Sequence, residues 1–303
     1  VVERSTADAS YLEFDLFADH PDVTHAIFTR RKGHSKPPFA GLNASFVTGD
    51  DASVVARNKD AVISALGLPL VGARPVHGSD VLCVDDYIPP DPLDAAMLQQ
   101  RIRPIAADAM ITAMPGFALC WAFGDCAALL FYDPRQRVVG LAHAGWRGTA
   151  QAVALRTLEA LEQRYGSRRA DVLVGIGPAI GSCCYAVGEE VRRAFASDPL
   201  VMETAYFEER TEAGKTGVSL FLDVGRSNYA QLLAAGIPAG HIERADYCTG
   251  CRTDLFYSHR KEPSPTGRFA VAIGLKQTPD TDPALGDVIR YGIPGRESTI
   301  RAT

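Results

Sequence analysis

Three side chains interrupt apolar stretches beside a glycine: His77 in Val76-His77-Gly78, Cys126 after Gly124-Asp125, and His143 at the end of Val138-Val139-Gly140-Leu141-Ala142. Imidazole nitrogen and thiolate sulfur together form a donor set that zinc accepts. Three protein ligands leave a fourth position for water or substrate, which separates a catalytic zinc from a structural one. The three residues are 49 and 17 positions apart, which matches no compact zinc-finger spacing. The spacing alone therefore leaves a second reading open: Cys126 as a nucleophile, with His143 or His77 as its base and Asp125 or another carboxylate orienting it. Cys248-x-x-Cys251 is a further candidate, as half of a zinc site or a redox pair. No second Cys-x-x-Cys exists, and the adjacent Cys183 and Cys184 are not expected to chelate one ion together. Loop thiols without a metal are the plainer reading of these four. Among the cations, Arg30-Arg31-Lys32-Gly33 is a basic, glycine-bearing loop that could hold an anion.

The stretch Val138–Gly148 must position the chemistry. It reads as a buried strand that delivers His143 and then turns through Gly145-Trp146-Arg147-Gly148 into a helix. From Thr149 the apolar positions Ala154, Leu155, Leu158, Leu161 and Tyr165 share one face, and Gly166 is the expected stop. Before it, Ala26–Thr29 reads as a strand, and Asp50 or Asp51 caps a helix that Gly67 and Pro69 end. Residues 71–88 read as extended, a Pro-rich loop covers Pro89–Pro92, and Phe117–Phe123 and Ala127–Tyr132 are apolar strands flanking Gly124-Asp125-Cys126. Val172–Ile176 is another buried strand, helices are expected over Glu189–Ala196 and Asp223–Ala235, and Phe269–Leu275 is a last strand. Helices and strands alternate without strict βαβ regularity. The expectation is one α/β domain over residues 1–277, with a mixed sheet and helices on both faces. Residues 278–303 are expected to be a polar tail outside it, of the kind that expression vectors append.

Composition narrows the class. The chain has 303 residues, 47% hydrophobic and 22% charged, with a formal net charge of -5, which argues against a nucleic-acid binder. No apolar run approaches the ~20 residues of a membrane helix, and no secretory signal is visible. Seven cysteines, an odd number, do not resemble a disulfide framework. A cytoplasmic protein with reduced thiols and no membrane partner is expected.

The motifs resemble one family. Val76-His77-Gly78, Ala107-Asp108-Ala109-Met110-Ile111-Thr112, Asp125-Cys126, Ala142-His143-Ala144-Gly145-Trp146-Arg147-Gly148, Gly177-Pro178-Ala179-Ile180-Gly181-Ser182-Cys183-Cys184-Tyr185, Cys248-Thr249 and Thr266-Gly267-Arg268 are similar to the motifs of the YfiH-type, laccase-domain proteins. These were formerly named multicopper polyphenol oxidases and are now regarded as purine nucleoside phosphorylases. The resemblance runs from about Ala26 to Leu275. It implies a three-layer α-β-α sandwich with a mixed sheet, and one zinc per chain held by His77, Cys126 and His143, which would also be the catalytic residues. It further implies phosphorolysis of adenosine, inosine, guanosine and methylthioadenosine with inorganic phosphate as co-substrate, together with adenosine deamination. Arg30, Asn43, Arg147, Arg260 and Arg268 are the candidates for holding substrate, because arginine suits phosphate. Two departures bear on the pocket: Pro75 stands where the family usually has Gln, and Ala127-Ala128 where a proline usually follows Asp-Cys.

Other classes stay on the table. A zinc-dependent amidase acting on peptidoglycan precursors could use the same ligands, and so could a cysteine hydrolase built on Cys126. A non-catalytic partner of cell-wall or division proteins would not need an intact His/Cys/His set. A multicopper laccase needs many histidine ligands, commonly in His-x-His pairs. This chain has seven histidines and no such pair. The oligomeric state is left open, with a monomer as the simplest case.

Overall fold

The computed structural model describes residues 1–88, 94–211 and 217–277. The Pro89–Pro92 loop and the tail over 278–303 lie outside the described residues. Strands β1 (Val2–Ser5), β2 (Ala9–Glu13) and β3 (Val23–Lys32) open the chain. Helix α1 (Ala52–Leu66) follows, with the Asp51 carboxylate accepting from the amides of Ser53 and Val54. Then come β4 (Leu70–Val71), β5 (Val81–Cys83), α2 (Ala95–Ile102), β6 (Ala109–Thr112), β7 (Ala118–Phe123), β8 (Ala127–Asp133) and β9 (Val138–Ala144). The second half contains α3 (Trp146–Ala150), α4 (Val153–Tyr165), β10 (Leu173–Ile176), β11 (Ala186–Val187), α5 (Glu189–Phe195) and α6 (Pro199–Glu203). It ends with β12 (Phe207–Arg210), β13 (Ser219–Leu222), α7 (Val224–Ala234), β14 (Ile242–Arg244) and β15 (Phe269–Leu275).

The fold is mixed α/β, as expected, and its β layer is doubled. One sheet has the order β1-β2-β3-β15-β7-β4, a second β14-β10-β8-β9-β6-β5, and a small third β11-β13-β12. Both large sheets are mixed: β4 runs parallel to β7, and β10 to β14 and β5 to β6, while the other pairs are antiparallel. The two large sheets face each other across one core, to which Ile27, Val271 and Ile273 contribute from one side and Met110, Leu130 and Leu141 from the other. The second sheet buries its other face under α4, α5 and α7, and the first sheet buries its own under α1.

Strands β8 and β9 are buried along their whole length, which is why both read as unbroken apolar runs. Alternation then sorts their side chains. Val139 and Leu141 enter the core between the sheets, and Val138, Ala142 and Ala144 pack against the helices. His143 shares the face of Val139 and Leu141, so its ring is delivered to the edge of the inter-sheet core. Burying each large aliphatic side chain is worth roughly 1.5–3 kcal/mol. A one-residue slip of β9 would forfeit several such terms and turn His143 to the helix side.

Two local expectations change. The turn expected at Gly145–Gly148 is a short helix, α3, separated from α4 by Ala152 in the left-handed region (φ 57°). The basic stretch Arg30–Lys32 continues β3 and is not a loop: Lys32 pairs with Ala9 of β2, and the Arg30 side chain is engaged by the Thr253 carbonyl (3.0 Å) and Glu262 (2.6 Å). Among the described residues no helix is long and apolar enough to cross a membrane.

Candidate functional site

The β8–β9 hairpin register builds the centre of the site. Ala127 pairs with Ala144 and Ala128 with His143, so Cys126, just before β8, sits beside Gly145, just after β9. A side-chain carbon at Gly145 would stand 2.9 Å from Cys126 Sγ and 3.5 Å from His77 Cδ2, so the close approach requires glycine. Cys126 follows Asp125, whose backbone is left-handed (φ 96°). Asp125 is locked from several directions. Its carboxylate accepts from Thr249 Oγ1 (2.6 Å), Ser258 Oγ (2.7 Å) and the Arg260 amide (2.7 Å), and its carbonyl accepts from the Ile180 amide (2.8 Å).

Asp108 organises the two histidines. Ala109 pairs with Ala142, so Asp108 lies beside His143, and its carbonyl accepts the His143 amide (2.7 Å). Its carboxylate is fully buried and contacts His143 Nδ1 at 2.9 Å, which leaves Nε2 as the outward nitrogen of that ring. The same carboxylate accepts the amides of Val76 (3.1 Å), His77 (2.9 Å) and Gly78 (2.7 Å). Those bonds hold His77 at φ 61°, a conformation costing of order 1–3 kcal/mol in a residue with a side chain. Burial works against the charge on Asp108, but the His143 ring and these amides outweigh it and keep its carboxyl below the ordinary carboxylate range.

The result is a three-residue donor set: the ligand atoms of His77, Cys126 and His143 all lie within 4.8 Å of one another. His143 is buried, Cys126 half-buried and His77 exposed, so the set opens to solvent on the His77 side. Phe123 and Trp121 of β7 stand 5.5 and 6.4 Å from the His143 ring, centroid to centroid, and form its apolar wall. Without a cation Cys126 and His143 shift each other's titration. Burial opposes ionisation of Cys126, but His143 and then His77 overcome it and bring the thiol down to about 6. Burial likewise opposes protonation of His143, and the Cys126 thiolate and Asp108 raise it to about 9.

A cleft of about 630 Å³ begins one residue beyond Gly145, lined by Trp146, Arg147, Tyr185, Glu189, Leu220 and Arg260 among others. Arg147 lies over the Trp146 ring at 4.1 Å and Arg260 over the Tyr185 ring at 4.6 Å. Burial, assisted by the charges on Cys126 and Asp125 and opposed by Arg260 and Arg147, pushes the Tyr185 phenol up to about 12. It stays protonated and able to donate at neutral pH.

The five substrate candidates from the sequence divide. Arg147 and Arg260 line the cleft. Arg268 packs against Gly124, where a side-chain carbon would meet its Cδ at 2.7 Å, and donates to the carbonyls of Thr266 and Gly267. Asn43 is fully buried; it accepts the Arg268 amide (2.9 Å) and donates to Thr48 and Asp50, so it shapes the loop rather than meeting solvent. Arg30 is engaged by Glu262, Thr253 and the Tyr257 ring and does not reach the cleft. Sequence reasoning missed Asp108 and Tyr185 as individual residues. The signal for Asp108 was a carboxylate at the mouth of the apolar run Ala109–Thr112. Its partners are 30 or more positions away, so nothing local announced them.

Comparisons place these features among known proteins. A family model described as multi-copper polyphenol oxidoreductase laccase matches residues 24–276, from the start of β3 to the end of β15. The purine nucleoside phosphorylase YlmD of Geobacillus stearothermophilus is 36% identical over 252 residues, covering 82% of this chain and 89% of that protein. A protein named adenosine deaminase RL5, from an unknown prokaryotic organism, is 28% identical over 82% of this chain and 92% of its own length. The crystal structure of the Bacillus licheniformis hypothetical protein YfiH superposes with a TM-score of 0.77 at 33% identity, covering 90% of this chain and 99% of that one. On the extent of the family match, the identity to these relatives and the shared architecture, the chain belongs to the YfiH-type, laccase-domain family.

Proposed function

We propose that this protein is a zinc-dependent purine nucleoside enzyme, of one domain over residues 1–277. It would carry out phosphorolysis of adenosine, inosine, guanosine and methylthioadenosine, and deaminate adenosine. The observation that carries the reading is a His/Cys/His donor set packed around Gly145, from which the chain runs directly into Trp146 and Arg147 of a cleft that Arg260 also lines. The donors fit zinc: two nitrogens and a sulfur lie within one coordination sphere, a carboxylate orients one imidazole from behind, and Gly145 leaves the space. Bound there, zinc would supply Lewis acidity and a lowered pKa for water.

The chain's own residues would do the rest. In phosphorolysis a phosphate oxygen bonds to the ribose C1′, the C1′–N9 bond breaks, and the purine leaves with a proton. Arg147 and Arg260 present guanidinium groups suited to phosphate, and the neutral Tyr185 phenol is a proton donor facing the same space. In deamination, water adds to the purine C6 and ammonia leaves, so a proton must move from the water to the departing nitrogen. Seven cysteines, an odd number in a chain of this length, fit a reducing, cytoplasmic setting better than a disulfide framework.

With phosphate present, purified protein should convert inosine to hypoxanthine and ribose-1-phosphate, and adenosine should also release ammonia. His143→Ala should reduce both rates by at least about a hundredfold, as expected when a group that holds the reacting centre is lost. Wild-type rates in that variant would remove the site assignment even if the activities were present.

One observation favours a second reading. Cys126, His143 and Asp108 form a hydrogen-bonded series in which the thiol is acidified to about 6, as in a cysteine hydrolase. That mechanism needs a free thiolate and no zinc, and the reactivity of Cys126 separates the two.

A further inference from the structure

Four cysteines play no part in the site described above, and the fold brings them together. Cys183 and Cys184 lie in the turn that follows β10, and Cys248 and Cys251 in the turn after β14, more than 60 positions away. All four Sγ atoms are within 4.8 Å of one another. Cys251 Sγ is 3.4 Å from Cys183 Sγ and 3.5 Å from Cys184 Sγ. The expectation that two adjacent cysteines would not serve one ion does not hold for this geometry. The turn closes with the amides of Cys184 and Tyr185 both donating to the Gly181 carbonyl (3.0 Å each), and both sulfurs reach the same neighbour.

The two turns are built to meet. The Ala179 amide donates to the Tyr247 carbonyl (3.2 Å) and the Thr249 amide to the Ala179 carbonyl (3.1 Å). The Gly181 amide donates to Cys248 Sγ (3.3 Å), and the amides of Cys251 and Arg252 both donate to the Cys248 carbonyl. At Gly250 a side-chain carbon would stand 2.9 Å from Cys184 Cβ, so the Cys-Thr-Gly-Cys turn requires glycine to approach the other pair. We propose that Cys183, Cys184, Cys248 and Cys251 form a tetrathiolate site for a single zinc ion, separate from the His77, Cys126 and His143 set.

The dimensions suit a single four-coordinate ion, and zinc is the ordinary occupant of a closed four-cysteine site. With zinc–sulfur bonds of ~2.3 Å, the sulfurs of a tetrahedral site stand about 3.8 Å apart. The cluster matches that spacing and is too tight for the thiolates of a polynuclear iron–sulfur centre. A disulfide needs ~2.05 Å between sulfurs, well below either measured separation. Four thiolates and no water make a closed, structural site, unlike a three-ligand set with an open position. Zinc here would join the loop after β10 to the turn after β14. It would also reach the first site, because Thr249, inside the Cys-x-x-Cys turn, holds the Asp125 carboxylate next to Cys126. The zinc expected per chain rises from one to two.

The test is metal analysis of three full-length proteins purified without added metal. Wild type should carry two zinc ions per chain. The Cys126→Ala/His143→Ala variant should keep one, and Cys248→Ser/Cys251→Ser should lose one relative to wild type. Cobalt exchanged into the Cys126→Ala/His143→Ala protein should give tetrahedral visible bands with the charge-transfer intensity of four thiolates. If the cysteine variant does not fold, wild-type protein is alkylated under native conditions and read by peptide mass, where Cys183, Cys184, Cys248 and Cys251 should be protected until a chelator is added. Rapid labelling of all four in metal-loaded protein, disulfide-linked peptides, or stoichiometric iron in place of zinc would each overturn the assignment. The purine reading is tested apart from these outcomes, by inosine and adenosine turnover in wild type, and its site assignment by the His143→Ala rates.

Discussion

At the scale of single residues, Cys126 is where the competing mechanisms part. As a zinc ligand its lone pairs are engaged, and iodoacetamide should modify it slowly in metal-loaded protein. After chelation, with the fold checked by circular dichroism, His143 and His77 hold it as a thiolate of pKa about 6. Its labelling, read at its own peptide, should then be fast at pH 7 and fall off below about pH 6, where an ordinary thiol would already be slow below pH 8. Fast labelling that ignores the chelator and abolishes activity would make the protein a cysteine hydrolase. The three donor residues were legible because each breaks an apolar run beside glycine, a pattern that survives in one dimension. Asp108 was not, since its role depends on amides from Val76–Gly78 and a ring from His143 meeting at one carboxylate. Cys183 and Cys184 were judged by adjacency in the chain, whereas a tight turn decides where their sulfurs go.

At the scale of elements, the site is the work of three strand ends. Strands β6, β8 and β9 place Asp108, Cys126 and His143 by register, and Gly145 supplies the gap between β9 and α3. Gly145 has φ -76°, so alanine fits its backbone and the only disturbance is the added carbon beside the sulfur. Gly145→Ala is therefore expected to keep the melting temperature within a few degrees while lowering kcat on the order of a hundredfold, since small displacements of reacting groups cost that much. Activity near wild type would show that the donor set tolerates being pushed apart. Most elements were legible from period and punctuation: α1 from its Asp51 cap, α4 from its apolar face, β8 and β9 from unbroken apolar runs. The doubling of the β layer was not, because a strand buried on both faces reads the same whether its neighbour is a helix or another sheet.

At the scale of the whole molecule, a buried histidine that the chemistry does not use lies against the inter-sheet core. His25 of β3 is buried, accepts the Phe14 amide on Nε2 (2.7 Å) and lies against the rings of Phe14 and Phe17. Burial, with a smaller push from Lys276, lowers its pKa to about 3. The folded state thus keeps it neutral while the unfolded chain takes up a proton below about 6.5. Its contribution is intact above pH 6.5 and is lost as pH falls towards 3, at about 1.4 kcal/mol per pH unit for one proton. Urea unfolding between pH 6.5 and 4 should show that slope in wild type, and His25→Gln, which keeps an acceptor and cannot titrate, should flatten it. An equal slope in the variant would assign the acid sensitivity elsewhere.

The order of strands also governs how the protein is made. In the first sheet β15 lies between β3 and β7, although it leaves the ribosome about 150 residues after β7 and about 240 after β3. Until Phe269–Leu275 emerges, β3 and β7 each present an unpaired edge rich in apolar side chains, the kind of surface that nascent chains aggregate through. Translation of this chain consequently has a long vulnerable interval, closed when β15 docks between β3 and β7. A holdase that shields such edges would raise the yield of native protein without altering its final stability.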